Sequence, residues 1–215
     1  MLDVPYQVEI LGKKDIPSAE KLLYQVYVEE MGWKIKDDNA SNLKKIEEKS
    51  GNRLTDDFAD SAHWFGIFYN KSLIGVHRIV EPIEGKLETE RYIELPKHIK
   101  DENPYEFNRL AIQKNHRASP AVILLFYKEY QYLNSKKKNL AISTTEFPDP
   151  GNFYLKIGAR KAEFKQFKYD EEDQNFVELI CYDFVEEPKK TILGKLSKRI
   201  TKKYSKNKSM KCEVY

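Results

Sequence analysis

Two ionisable residues stand in the middle of a strand-like run, Tyr105-Glu106-Phe107-Asn108-Arg109-Leu110-Ala111-Ile112. Strict alternation puts Phe107, Arg109 and Ala111 on one face and Glu106, Asn108 and Leu110 on the other. Charged side chains are rarely buried without a partner, so Glu106 and Arg109 imply an ion-pair network or a reactive site. Upstream, Arg78 interrupts the apolar run Leu73 to Val80, and Asp56-Asp57-Phe58-Ala59-Asp60 supplies carboxylates. An Arg78 paired with Glu106 or Asp60 could fix strand register, and the same residues could do chemistry; the two readings are compatible. A partly buried Glu106, its pKa raised by desolvation, suits a general base working through a water molecule.

Other chemistries lack their residues. Of the two cysteines, Cys181 lies in the apolar strand pattern Phe176 to Phe184 and Cys212 in a basic stretch, so neither a disulfide framework nor a metal-ligand spacing is present, and no metal is expected. No His has an evident nucleophile beside it, which argues against a covalent intermediate.

The elements that must position Glu106 read in the order β, α, α, β, β, β, α, β, α, β, β. Gln7 to Ile10 is a short strand, followed by a helix from Asp15 that Gly32 ends. Asp37 to Ser50 suggests a second, exposed helix stopping at Gly51-Asn52. Ala62 to Tyr69 and Ser72 to Val80 form a hairpin through Asn70-Lys71. After Ile112 a loop leads to Pro120 at the start of a helix through Leu133, then a strand Leu140 to Thr144 and a short helix closed by Gly158. Arg160 to Tyr169 and Asn175 to Val185 read as a long terminal hairpin. The fold class is therefore α/β (α+β), a mixed central sheet flanked by helices.

At 215 residues, 40% hydrophobic and 33% charged, the chain suits one globular domain, residues 1–187, with a polybasic tail at 188–215. The tail carries ten Lys/Arg against Glu213, a formal +9 that leaves −6 for the rest of a chain whose net charge is +3. Ile192, Leu193, Leu196 and Ile200 recur there at helical spacing among lysines, which suits an anionic membrane surface, packing on the domain, or a merely solvated tail. No membrane-spanning run or signal-peptide pattern is present, so a cytoplasmic protein is expected, with peripheral membrane contact through the basic tail left open. Basic and aromatic residues do not interleave as in a nucleic-acid-binding signature, so no nucleic-acid partner is expected.

The element order is that of the GNAT acyltransferases, and particular residues resemble that superfamily. Phe153-Tyr154-Leu155-Lys156-Ile157-Gly158-Ala159 is similar to the aromatic-Tyr-x-Lys-x-Gly-aromatic run late in GNAT domains, with Ala159 in place of the last aromatic. Ile112 to Ala121 occupies the position of the pyrophosphate loop, but Arg117-Ala118-Ser119-Pro120-Ala121 lacks its glycines. More narrowly, Tyr27, Gly32-Trp33, Asp57-Phe58 with Asp60, Arg78 and Glu106-x-x-Arg109 resemble, in order and spacing, the acyl-homoserine-lactone synthases (autoinducer synthases) and N-acyl amino acid synthases. Leu23 and Tyr24 stand where the lactone synthases usually carry an arginine, so a product other than a homoserine lactone is expected.

The resemblance implies an N-acyltransferase that moves a fatty acyl group from an acyl carrier protein thioester to the amine of an amino acid or similar small molecule, by direct attack. Acyl-ACP or acyl-CoA would be a co-substrate, with no cofactor bound permanently. It implies Tyr154 as the acid that protonates the leaving thiolate, unless Tyr154 is only a packed aromatic. It implies donor contacts from the backbone of Leu110, Ala111 and Ile112, with Arg117 either on the carrier phosphate or solvated. Asp57 and Asp60 would hold the substrate ammonium or order the loop around Trp33, and Trp33 would floor the amine pocket or sit in the core. Lys136, Lys137, Lys138 and the tail could steer an acidic carrier protein. The alternatives are an acetyl-coenzyme A-dependent GNAT N-acetyltransferase, which the missing glycines disfavour, and a non-catalytic GNAT-like module binding acyl carriers or lipids.

Overall fold

The computed structural model describes residues 6–148 and 153–183; the polybasic tail and its membrane-helix reading lie outside them. Nine strands are present among these residues: β1 (Tyr6–Ile10), β2 (Lys44–Ile46), β3 (Arg53–Thr55), β4 (His63–Tyr69), β5 (Ser72–Val80), β6 (Tyr105–Ile112), β7 (Leu140–Phe147), β8 (Arg160–Lys161) and β9 (Phe176–Asp183). Seven of them make one sheet in the order β1-β4-β5-β6-β7-β9-β8, and β2 with β3 makes a separate ribbon. The helices are α1 (Ile16–Leu23), running into a π-helical turn Tyr24–Glu30, then α2 (Lys97–Lys100), α3 (Ala121–Ser135) and α4 (Phe153–Ile157).

Every pairing in the large sheet is antiparallel except β6 with β7. A parallel pair needs a crossover, and α3 supplies it. The β4–β5 hairpin turns on Asn70 and Lys71, whose φ of 49° and 67° fit a two-residue turn with both residues left-handed. Val122, Leu125, Phe126, Glu129 and Leu133 form the buried stripe of α3, which packs on Phe65, Ile79, Phe107 and Ala141. On the opposite face Leu22, Leu23 and Val26 pack against Trp64, Val76 and Ala111. Gly75 lies opposite Ile112, and a Cβ there would come within 2.3 Å of the Ile112 Cδ1.

One irregularity shapes the site. Pairing of β5 with β6 runs through Arg78↔Asn108 and resumes at Val76↔Ala111, so two β6 residues oppose one β5 residue, and Arg109 has a φ of 57°. This is a β-bulge, which shifts the side-chain alternation by one. Arg109 therefore swings onto the face of Glu106 and Asn108 rather than that of Phe107, where strict alternation would put it.

Two other expectations are corrected. Asp37 to Ser50 is not helical: the Asn39 side chain bonds the Lys36 and Leu43 carbonyls at 2.6 and 2.7 Å and the Leu43 N–H at 2.7 Å. These local bonds compete with helical ones, Asn42 is left-handed, and Lys44–Ile46 pairs with Arg53–Thr55. The terminal hairpin is shorter than its alternation suggests, because Glu163 is left-handed and ends β8 at Lys161, with only an isolated Phe167↔Val177 bridge beyond. The freed segment carries Tyr169 back over β7.

Candidate active site

After Tyr105↔Ala141 and Glu106↔Ile142 the strands β6 and β7 part. Below the gap Ser143 Oγ donates to the Phe107 carbonyl at 2.9 Å. Beyond it, the Leu110 carbonyl accepts from the Tyr27 hydroxyl at 3.1 Å and the Ile112 carbonyl from Arg117 Nε at 2.8 Å. Tyr27 comes from the α1 side of the sheet and Tyr154 packs with Phe126 on the α3 side. Tyr154 is nonetheless close enough to add to the upward shift that burial gives the Tyr27 hydroxyl. The two tyrosines thus come from opposite sides of the sheet near the place where β6 and β7 part.

Beside this opening lies a buried ionic cluster drawn from four segments. Arg78 binds Asp56 with two parallel bonds of 2.8 and 2.7 Å, reaches Glu88 at 3.1 Å and gives its Nε to Asn108 at 2.6 Å. Arg109 bonds Asp56 at 2.8 Å and also pairs with Glu88, which accepts from Asn108 Nδ2 at 2.7 Å. Burial alone would raise the Asp56 carboxyl, but Arg109 and Arg78 outweigh it and hold it at about 2. Such a network is strongly damaged by removal of one partner, because the others are left buried without compensation.

Glu106 is not in that network, contrary to the Arg78 pairing open from the sequence. Among the described residues its carboxylate accepts from Thr89, from the backbone N–H at 3.1 Å and the hydroxyl at 2.8 Å. Burial, and next the nearby Glu88, push its pKa up to about 7, against the bonds from Thr89 and the charge of Arg109. A carboxylate poised near neutrality beside an opening is the arrangement a general base requires.

The remaining sequence candidates fall into place as follows. Asp57 is exposed and bonds Asn42 at 2.6 Å and Arg91 at 2.8 Å, which orders its loop, while Asp60 is exposed and outside the cluster. Neither is Arg78's partner; Asp56 is. Trp33 is not in the core: the residue is 44% exposed and its ring packs at a tilt on Tyr27 with ring centres 4.4 Å apart. Arg117 is held by the Ile112 carbonyl and pairs with Glu30. Cys181 is buried, and burial raises its thiol to about 11, so it is unreactive.

Asp56, Glu88 and Thr89 escaped the sequence reading. Three adjacent carboxylates gave no reason to choose Asp56, and Glu88 and Thr89 lie in a segment without periodicity. A second buried pair did leave a signal: His77 sits in a core strand and Glu129 on the apolar stripe of α3, and Nδ1 of His77 lies 2.8 and 3.0 Å from the Glu129 carboxylate oxygens.

No family model matches the chain, and no curated protein matches it by sequence. Solved structures do match it. The structure of FeeM, an N-acyl amino acid synthase from uncultured soil microbes, aligns with a TM-score of 0.65 at 18% identity, over 89% of this chain and 97% of that one. BjaI, a CoA-dependent acyl-homoserine lactone synthase solved with SAM and isopentyl-CoA, aligns with a TM-score of 0.63 at 14% identity, over 87% and 83%. The ribosomal-protein-S18-alanine N-acetyltransferase of Escherichia coli aligns at 0.54 and 8% identity, over 83% and 94%. The chain has the GNAT acyltransferase fold, in a form that resembles the N-acyl amino acid and acyl-homoserine-lactone synthases.

Proposed function

We propose that this protein is an N-acyltransferase that moves a fatty acyl group from a phosphopantetheine thioester to the amine of an amino acid or similar small molecule. The observation that carries the reading is Glu106, a buried carboxylate with a pKa near neutrality next to the parting of β6 and β7. The thioester would enter the parting, with its carbonyl near the backbone of Leu110, Ala111 and Ile112. Glu106, through a water, takes a proton from the amine. The nitrogen attacks the thioester carbon, the C–S bond breaks as the amide forms, and the thiolate leaves with a proton from Tyr154, which packs on Phe126. Arg78, Arg109, Asp56 and Glu88 hold the strand and the Thr89 turn that carry Glu106.

Acyl carrier protein is our preferred donor, because the loop from Gln113 to Pro120 has no glycine for close approach to a pyrophosphate and its Arg117 is already engaged. Acyl-CoA is the second reading, supported by the likeness to a CoA-dependent synthase. Lys136 to Lys138 follow the C-terminus of α3 and would attract an acidic carrier protein from outside the site, an effect that weakens as salt is raised. The test is acylation of a pool of amines and amino acids by the purified chain, with acyl groups supplied on acyl carrier protein or on coenzyme A and products identified by mass spectrometry. Product from the carrier protein alone supports the first donor, and no product from either refutes the transferase reading.

A further inference from the structure

The charges at the proposed site do not balance in favour of an anionic substrate. Two guanidiniums, Arg78 and Arg109, face Asp56 and Glu88, each already shared between them. Glu106 adds a third carboxylate, so the cluster is neutral when Glu106 is protonated and carries one negative charge when it is ionised. Arg109 is the most open of the four paired groups, at 12% side-chain exposure, and its charge is matched on both sides. Among the described residues, Lys36 and Arg91 on the neighbouring loops are likewise paired, with Asp170 and Glu172 and with Asp57.

A second feature lies beside this floor, two aromatic pairs, Tyr27 with Trp33 and Tyr92 with Tyr169. Three tyrosines from three separate segments, Tyr27, Tyr92 and Tyr169, lie within electrostatic reach of both Glu88 and Arg109. Tyr169 hydrogen-bonds Thr144 on the β7 side of the opening and packs edge-on against Tyr92, with ring centres 4.7 Å apart. It is 39% exposed, and Trp33 presents its open indole beyond Tyr27. Aromatic walls over an anionic floor favour an ammonium ion, through ring faces and Coulomb attraction together. A carboxylate brought to the same place would lose its hydration and meet no unmatched cation among these residues.

We propose that the acceptor is a cationic amine that carries no carboxylate, bound as its ammonium among Tyr27, Tyr92, Tyr169 and Trp33 above Glu106 and Glu88. This deepens the transferase reading and rests on it. The ammonium gives one proton to Glu106 through water and a second on collapse of the tetrahedral adduct; the acyl carbon passes from sulfur to nitrogen and the thiolate takes one proton. The products are an uncharged amide, the free thiol and one released proton.

The test compares acceptors that differ only by the α-carboxylate, phenethylamine with phenylalanine and cadaverine with lysine, using the full chain and the acyl donor that supports turnover. We expect kcat/KM for the amine to exceed that for its amino acid by about tenfold or more in both pairs. In Glu88→Gln, which leaves Arg78 and Arg109 to share the single carboxylate of Asp56, the ratio should narrow. Equal rates, or preference for the amino acids, overturn the inference and leave the transferase reading intact. Turnover of no acceptor with either donor overturns that reading and the inference with it. The wild-type ratio decides the matter if Glu88→Gln does not fold.

Discussion

Replacing Glu106 by glutamine should lower activity and raise stability, and the second effect should appear only on the alkaline side. In the fold the Glu106 pKa rises from 4.5 to about 7. The folded protein therefore binds a proton that the unfolded chain has released between these two values, so the stability that neutral Glu106 allows is present below pH 4.5 and lost as pH rises to 7. A shift of that size corresponds to about 3 kcal/mol. Glutamine keeps both contacts, since its carbonyl accepts from the Thr89 N–H and its amide donates to the Thr89 hydroxyl. Urea unfolding of both proteins should thus coincide near pH 4 and differ by about 3 kcal/mol in favour of the variant near pH 8.5. Acyl transfer by the same variant should fall by about 10²- to 10⁴-fold in kcat. A stability difference that does not change with pH would refute the raised pKa, and full turnover in the folded variant would remove Glu106 as the base.

Tyr154→Phe should reduce kcat at least about tenfold with little change in donor KM, measured at saturating acceptor; an unchanged rate would leave Tyr154 as a packed aromatic. Arg78→Met should cost about 3–5 kcal/mol in urea unfolding, because Asp56 and Glu88 stay buried with one cation fewer. A loss under about 1 kcal/mol would show that the cluster does not depend on Arg78. Trp33→Ala should raise acceptor KM about 2–5-fold while the melting temperature stays within a degree or two, since the indole is largely outside the core; an unchanged KM would remove Trp33 from the acceptor wall.

The sequence made the strands and their order legible because alternation and turn residues agree there, as at Asn70-Lys71 and in the run from Tyr105 to Ile112. It failed where a single residue leaves the regular backbone. Arg109, left-handed, reverses the strand's faces; Glu163, left-handed, cuts β8 short; Asn39 turns a charged, helix-like stretch into a ribbon. Arginine and glutamate do not announce such a departure, and a single asparagine in a charged run is a weak sign of one. The site was legible on the two strands that carry Arg78, Glu106 and Arg109, since charge inside an apolar pattern stands out. It was not legible in the partners supplied by loops, because Asp56 differs from Asp57 and Asp60 only in which way it points, and Glu88 lies where no pattern predicts burial.

The parting of β6 from β7 divides the sheet into two panels, β1-β4-β5-β6 and β7-β9-β8, joined by two residue pairs and the Ser143 hydroxyl. Side-chain packing, with Phe107 and Phe126 against Ala141 and Ile180 and with Val80 and Leu87 against Leu140 and Leu179, does most of the joining. Asp56, Arg78, Glu88, Glu106 and Arg109 all belong to the first panel or its loops, whereas Thr144, Tyr154 and Tyr169 belong to the second. The candidate site is thus a property of the docked pair. A rotation of one panel on the other, with every strand intact, is enough to silence it, and hydrogen exchange should register the two panels as separate cooperative units that protect each other only at the seam.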